Sequence, residues 1–248
     1  MSAHTPNRPT TIPALDGADP LVVVENLTKT YRDQHALDGL SLELPPGRII
    51  GLMGSNGSGK TTLLKILAGV LADYDGRVRI AGHDPGPESK ALVSFLPDAS
   101  FLASGLTVPA AISQYRRLFA DFDADKAAEL VRFFSLPTDR TLKEMSKGMG
   151  EKLRVSLAMS RRARVYLLDE PISGVDPAAR DVILSGVLRD FDPKAFMLIS
   201  THLIADVEPI VDSVVFLKDG HLLLAGDADD LRQDCGMSLD ALFRKEYR

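Results

Sequence analysis

Short apolar runs alternate with turn residues in the first part of the chain, which predicts β-strands. Leu21-Val-Val-Val24 is a β-branched run of strand type, and Ser41–Leu44 leads into a Pro-Pro-Gly turn. Ile49-Ile-Gly-Leu-Met53 is apolar at every position, as expected for a parallel strand buried on both faces. A helix is predicted next, and then two more strands: Thr62–Leu67, Arg77–Ile80 and Val93–Leu96.

The middle of the chain changes to a helical period, and strands return after it. Breakers at Pro137 and Gly148-Met-Gly150 separate three predicted helices: Val108–Phe119, Asp123–Phe134 and Glu151–Ser160. Four strands follow, the last two joined at Asp219-Gly220 as a hairpin: Val165–Leu168, Phe196–Ser200, Val214–Leu217 and Leu222–Leu224. This order predicts an α/β core with a helical insertion at about residues 98–152.

Composition is consistent with a globular protein in a reducing compartment. The chain has 248 residues, 45% of them hydrophobic and 25% charged, and one cysteine that cannot form an internal disulfide. A net charge of −5 offers no bulk attraction for nucleic acid. Because no apolar run reaches the roughly 18 residues of a membrane span and no signal peptide is evident, we expect a cytosolic chain. Residues 1–19, rich in proline, are predicted to be a disordered tail.

A glycine-rich loop follows the buried strand. Gly54-Ser-Asn-Gly-Ser-Gly-Lys60-Thr61 fits the P-loop pattern, in which backbone N–H groups surround phosphate oxygens. Lys60 can place its charge on the β- and γ-phosphates, and the Thr61 hydroxyl can bind Mg²⁺. The alternative is a chance glycine turn, but the strand before the loop and the helix after it favour phosphate binding. No Asn-Lys-x-Asp stretch for guanine recognition is present.

Two carboxylates end a later apolar strand. In Val165-Tyr-Leu-Leu-Asp169-Glu170, the aspartate can hold Mg²⁺ beside the P-loop, and the glutamate can orient or deprotonate the attacking water. An exposed acidic pair that merely ends a strand is the alternative. With a P-loop upstream, the pair favours hydrolysis over transfer to a second substrate.

Further short motifs occur in a fixed order around these two. They are Leu27-Thr-Lys-Thr-Tyr31, Met145-Ser-Lys-Gly-Met149, Ser173-Gly-Val-Asp176 and Ser200-Thr-His202. Together with the P-loop and the acid pair, the series resembles the nucleotide-binding subunits of ABC transporters over residues about 20–232. The resemblance implies a RecA-like P-loop NTPase core with an antiparallel β subdomain and a helical insertion, followed by a C-terminal tail at 233–248.

The resemblance also implies roles for individual residues. The ATP contacts would be Tyr31 on adenine and, in and after the loop, Gly54, Ser55, Asn56, Gly57, Ser58, Gly59, Lys60, Thr61 and Thr62. The signature residues that grip the opposite protomer's nucleotide would be Ser146, Lys147, Gly148 and Met149, with Asp176 in the D-loop. Catalysis would rest on Glu170, His202 and Lys60, and the metal ligands would be Thr61, Asp169 and Asp98.

Simpler interpretations stay open for some of these residues. Tyr31 could be an ordinary aromatic, His202 a structural histidine and Asp176 only a helix N-cap before proline. Arg161-Arg162-Ala-Arg164 is interpreted as a solvated helix end and not as a nucleic-acid site.

Two motifs depart from the family pattern. The usual signature is Leu-Ser-Gly-Gly-Gln, whereas Lys147 and Met149 here replace a glycine and the glutamine. Asp98 stands where the family has a glutamine that meets Mg²⁺ and the membrane subunit. With these features the chain most resembles the branch of the YtrB-type and multidrug or bacitracin exporters.

The resemblance implies a transporter motor that uses ATP and Mg²⁺. Two such chains, identical or different, would enclose two ATP molecules and drive separate permease subunits from the inner face of the cell membrane, without nucleic acid. Two alternatives are a soluble ABC-type ATPase acting on ribosomes or DNA and a nucleotide-gated regulatory module. One domain without a long coiled coil argues against the first, and the presence of both Glu170 and His202 argues against the second.

Overall fold

Two β-sheets form the framework of the computed structural model, which describes residues 10–12, 17–189 and 191–247. In chain order the strands are β1 (Thr10–Thr11), β2 (Val22–Tyr31), β3 (Gln34–Leu44), β4 (Ile49–Met53), β5 (Asp75–Ile80), β6 (Val93–Leu96), β7 (Val165–Asp169), β8 (Phe196–Thr201), β9 (Ser213–Lys218) and β10 (His221–Asp227). They form a four-stranded sheet in the order β1-β3-β2-β5 and a six-stranded sheet in the order β10-β9-β4-β8-β7-β6.

Helices cover these sheets and form a separate layer in the middle of the chain. They are α1 (Lys60–Leu67), α2 (Pro87–Leu92), α3 (Val108–Leu118), α4 (Ala124–Phe133), α5 (Lys147–Met159), α6 (Pro177–Arg189), α7 (Ile204–Val207), α8 (Ala228–Cys235) and α9 (Leu239–Glu246). No helix within the described ranges is long and apolar enough to cross a membrane.

The six-stranded sheet is parallel except at its β10 edge, and its centre is buried on both faces. All five residues of β4 are buried. Ile49 and Met53 enter one hydrophobic cluster, whereas Ile50 and Leu52 enter the other, because successive side chains of a strand point to opposite faces. The apolar run therefore forms a central parallel strand, as predicted, and it delivers the chain directly into the glycine-rich loop.

The four-stranded sheet is antiparallel apart from β1, which pairs in parallel with β3. Its buried leucines and valines share one hydrophobic cluster with Leu63 and Leu64 of α1. The predicted disorder of the first 19 residues is wrong at 10–12, where Thr10 pairs with Leu42 and Ile12 is 2% exposed. Residues 1–9 and 13–16 lie outside the described ranges.

The helical layer consists of α3, α4 and the first part of α5. The predicted break at Gly148-Met-Gly150 is wrong, because these residues lie inside α5. Ser146 is the N-cap of that helix, and its side chain accepts a hydrogen bond from the Met149 N–H (3.3 Å). The Gly150 N–H also donates to the Ser146 carbonyl (3.0 Å), so the capped first turn accommodates both glycines.

The segment predicted as a C-terminal tail, 233–248, contains helix α9. Ser238 is the N-cap of α9, where its side chain accepts a hydrogen bond from the Ala241 N–H (3.2 Å). Leu239 and Leu242 of this helix are buried and Phe243 packs against them, so three apolar residues at helical spacing attach the segment to the core.

Candidate nucleotide site

The glycine-rich loop connects β4 to α1 at the carboxyl end of the parallel sheet, where α/β proteins place ligands. Gly57 (φ 84°) and Gly59 (φ 105°) are in backbone conformations that favour glycine. A Cβ at Gly59 would collide with the Ala36 carbonyl, so glycine is also required there by packing. The loop thus turns its backbone N–H groups toward one place, ahead of the positive end of α1.

Lys60 directs its ammonium back into this loop. Its Nζ donates to the carbonyl oxygens of Gly54 (2.8 Å) and Ser55 (3.0 Å) and lies 3.8 Å from Glu170 Oε1. Burial lowers the pKa of Lys60, and the carboxylates of Glu170 and Asp169 raise it in part. The Lys60 amine is therefore placed to meet phosphate oxygens.

Asp169 ends β7 beside the first turn of α1. Its Oδ1 accepts hydrogen bonds from the hydroxyls of Thr61 (3.1 Å) and Ser200 (2.6 Å). Its Oδ2 is buried and has no hydrogen-bond partner within the described part of the chain. A buried carboxylate oxygen with a free acceptor site, next to a threonine hydroxyl, is a donor set that suits Mg²⁺, which takes few protein oxygens and completes its shell with water and phosphate.

Glu170 and His202 form a pair next to Asp169. His202 Nδ1 lies 2.9 Å from Glu170 Oε2. The Glu170 backbone is in the left-handed region (φ 51°), and its N–H donates to both the hydroxyl and the carbonyl of Ser200 (3.1 Å each). A non-glycine residue in this conformation is costly and is typical of functional sites. Here it turns the carboxylate toward Lys60.

A cavity of about 290 Å³ brings the predicted nucleotide residues together. It is lined by Tyr31, Ala36, Asn56, Gly57, Gly59, Lys60, Thr61, Thr62, Asp98 and Glu170. The Tyr31 side chain is 46% exposed at its edge, which leaves the ring available for stacking. A larger cleft of about 680 Å³ between β3 and β10 contains none of the predicted site residues.

The signature residues lie elsewhere. Ser146 and Lys147 are exposed and line a different cleft, of about 370 Å³, which also reaches Asp98. The Lys147 amine contacts Gly174. Asp176 is exposed and its Oδ1 accepts from the Ala179 N–H (3.0 Å), so the N-cap interpretation holds whether or not it has a further role.

Sequence reasoning missed one residue of this site and misjudged Arg161, which does not line the nucleotide cavity. Ser200 pairs with Asp169 across β7 and β8. Its hydroxyl donates to Asp169 Oδ1 and accepts from the Glu170 N–H. A polar residue ending a buried strand was the available signal. Arg161 was expected in a solvated helix end, but it is 4% exposed, pairs with Asp121 (2.7 Å) and stacks on Phe119.

Comparisons with known proteins agree with this geometry. The family model described as "ABC transporter" matches residues 37–173. The ABC transporter ATP-binding protein YtrB of Bacillus subtilis (strain 168) is 27% identical, over 86% of this chain and 74% of its own length. The daunorubicin resistance ATP-binding protein DrrA3 of Streptomyces coeruleorubidus is 29% identical, over 88% of this chain and 72% of its own length. A solved ATP-binding subunit of an ABC transporter is 28% identical and covers 92% of this chain and 100% of its own, with a TM-score of 0.81.

Proposed function

The chain belongs to the ABC transporter family, and from that premise we propose how its site turns ATP hydrolysis into work on a membrane partner. It is an ATP-binding and ATP-hydrolysing transporter subunit. One observation carries the detailed proposal: Lys60, Glu170 and His202 converge on one side of the P-loop, with Nζ 3.8 Å and Nδ1 2.9 Å from the glutamate's two oxygens.

ATP binding uses the loop and the exposed tyrosine. The adenine stacks on Tyr31, and the phosphates lie against the N–H groups of Gly57–Thr61, where α1 begins. Lys60 exchanges its two loop carbonyls for β- and γ-phosphate oxygens, which are stronger acceptors.

Hydrolysis uses the pair at the end of β7. Glu170 accepts a proton from the attacking water, and His202 orients the carboxylate and contacts the γ-phosphate. Thr61 and Asp169 would hold Mg²⁺, which neutralises charge on the phosphates when bound. Ser200 fixes the Asp169 carboxylate for that purpose. Asp98 lines the same cavity and would supply a further oxygen to Mg²⁺, in place of the usual glutamine amide.

The signature residues act on a second protomer. They lie outside the cavity that holds the P-loop, and Ser146 and Lys147 are exposed, which supports a contact made in trans. We propose a head-to-tail dimer in which each ATP lies between one P-loop and the partner's α5 N-terminus, with Asp176 at the shared interface. ATP closes the dimer and hydrolysis reopens it.

An apolar groove beside Asp98 is the proposed contact for the permease. It measures about 510 Å³ and is lined in part by Val70, Phe95, Phe101 and Tyr115. Val70 is 63% and Phe101 45% exposed, and such clustered apolar exposure is typical of protein interfaces. This contact would place the chain at the inner face of the membrane. The drug-resistance name of one relative supports export as the direction.

A steady-state ATPase assay with Mg-ATP tests the proposal, with Lys60→Ala as the control. We expect phosphate release from the wild type to exceed the control by at least about a hundredfold, because a P-loop ammonium stabilises charge in the transition state. A wild-type rate equal to that of Lys60→Ala would favour a nucleotide-gated regulatory module.

Affinity purification from membranes separates the transporter from a soluble ATPase. We expect an integral membrane protein to accompany the wild type, and Phe101→Glu, which places a charge in the groove, to lose it while retaining ATPase activity. Recovery with ribosomes or DNA and no membrane protein would overturn the permease assignment.

A further inference from the structure

Helix α9 packs behind the P-loop. Its Phe243 ring lies 5.5 Å from Phe216 of β9, and Phe216 pairs with Met53, the last residue of β4 before the loop. Tyr247 follows the helix, and its ring is 4.0 Å from that of Phe243. Tyr247 therefore lies at the end of the sheet where the phosphate loop begins, and it does not line the nucleotide cavity.

Lys218, at the end of β9, holds the end of α9 in this position. Its Nζ donates to the Glu246 carbonyl (3.2 Å) and lies 5.3 Å from the centre of the Tyr247 ring. Two further contacts join the same strand end to the loop. The Gly220 N–H donates to the Ser58 carbonyl (3.2 Å), and the Leu217 carbonyl is so near Gly54 that an added Cβ would lie 2.6 Å from it.

Two buried hydroxyls lie next to the same end of β9, one in the loop and one after α9. Ser58 is 1% exposed, and its Oγ and the Tyr247 Oη are both buried without a partner at ordinary hydrogen-bond geometry among the described residues. Burial raises the pKa of Tyr247, and the Ser55 backbone and the Ser58 hydroxyl lower it in part, as groups facing the phenol oxygen would.

We propose that Tyr247 is a positioning residue for the P-loop, which it supports through Ser58 and the Ser55 backbone. It touches the back of the loop and not the nucleotide. A buried hydroxyl without a partner costs free energy, and a small shift of the loop would join these two. The bond would then form when phosphate binding sets the loop, so its contribution appears in nucleotide affinity. This inference rests on the proposed function, because the loop it supports must bind ATP.

Tyr247→Phe is the sharpest test, because it removes one oxygen and keeps the ring against Phe243 and Lys218. We expect calorimetry with Mg-ATP to show a dissociation constant about three- to tenfold higher, the effect of one ordinary hydrogen bond. The KM for ATP should rise by a similar factor with little change in kcat. The unfolding temperature without nucleotide should stay the same or rise, because an unpaired buried hydroxyl is removed.

Ser58→Ala and the double variant test whether the two hydroxyls act on each other. If they form one contact, the ATP affinity of the double variant should be no lower than that of the single variant with the lower affinity. Tyr166→Phe is the matched control. It loses a buried hydroxyl that donates to the Arg161 carbonyl (2.6 Å), so it should lower the unfolding temperature and leave ATP affinity unchanged.

Unchanged affinity in Tyr247→Phe, or additive losses in the double variant, would overturn the role of Tyr247. A merely structural role would lower the unfolding temperature of the apo protein, as in the control, without the selective loss of ATP binding. Failure of the wild type itself to bind Mg-ATP would instead refute the proposed function, so the two failures are distinguishable.

Discussion

The carboxyl end of the parallel sheet and the start of α5 both carry predicted phosphate contacts, yet the two regions differ in how complete they are. At the sheet, Lys60 is 6% and Asp169 1% exposed. The Lys60 ammonium meets loop carbonyls and Asp169 Oδ1 meets two hydroxyls from other elements, whereas Asp169 Oδ2 has no partner among the described residues and is open to a metal ion. At α5, Ser146 caps its own helix, and it and Lys147 face outward.

This difference reflects what each region must do. A charge buried within one chain needs its partners in that chain or in a bound ion, because an unpaired buried charge is too costly to keep. An exposed helix start with free backbone donors carries no such cost, and it can bind an anion that another molecule supplies. The carboxyl end of the parallel sheet is thus the finished half-site, and we propose that the α5 start is a half-site completed by a second protomer.

In the finished half-site, Glu170→Gln is expected to have the largest effect on turnover. It keeps the shape of the side chain and removes the base, so we expect turnover to fall by about a hundredfold or more while Mg-ATP still binds. Because we propose that hydrolysis reopens the dimer, size-exclusion chromatography with Mg-ATP should show accumulated dimer. Phosphate release at the wild-type rate would remove Glu170 from the mechanism.

Mixing two inactive variants tests whether the α5 start completes the site of a second protomer. Lys60→Ala lacks a working P-loop, and Gly148→Asp places a negative charge against the phosphate at a helix position that tolerates it. Each alone should be inactive. If the site is shared between two chains, an equal mixture should regain about a quarter of the wild-type sites, because half of the dimers hold one intact site. A mixture as inactive as its parts would contradict the trans arrangement.

The residues at the carboxyl end of the parallel sheet could be predicted from the sequence because their signals are local. The buried run of β4 ends directly before the P-loop, and β7 ends at Asp169. In a parallel sheet, both motifs therefore lie at the carboxyl ends of the strands, whatever the strand order. Parallel pairing through β8 then places Ser200 beside Asp169. The role of this serine depends on strand order, which no single segment encodes.

The errors fell where tertiary packing overrides a local signal. Two glycines predicted a break inside α5, yet the Ser146 cap and tertiary packing keep the helix intact. In the short α9, Leu239 and Leu242 join the core cluster and Phe243 meets Phe216, contacts that depend on distant segments of the chain. Arg161 looked solvated because its partner, Asp121, lies forty residues earlier.

A buried ion pair connects the two regions and can be titrated. Glu151 of α5 accepts a hydrogen bond from Arg154 (2.7 Å), and Arg154 also donates to the Pro97 carbonyl, next to Asp98 of the nucleotide cavity. Burial raises the pKa of Glu151 to about 7, with Arg154 and Lys147 opposing the rise and Asp98 adding to it. The start of α5 is thereby joined to the loop that enters the finished half-site.

Glu151→Gln should change the pH dependence of stability by a modest amount. The folded chain holds a proton on Glu151 between the pKa of an unfolded glutamate and about 7, so this group's stabilising contribution is complete at low pH and is lost as pH rises to 7. The loss is at most a few kcal/mol. Urea unfolding at several pH values should show the wild type falling relative to Glu151→Gln across this window and running parallel above it. Glu129→Gln, which removes an exposed carboxylate from α4, is the matched control, and a wild-type slope in Glu151→Gln would show that the pair does not titrate there.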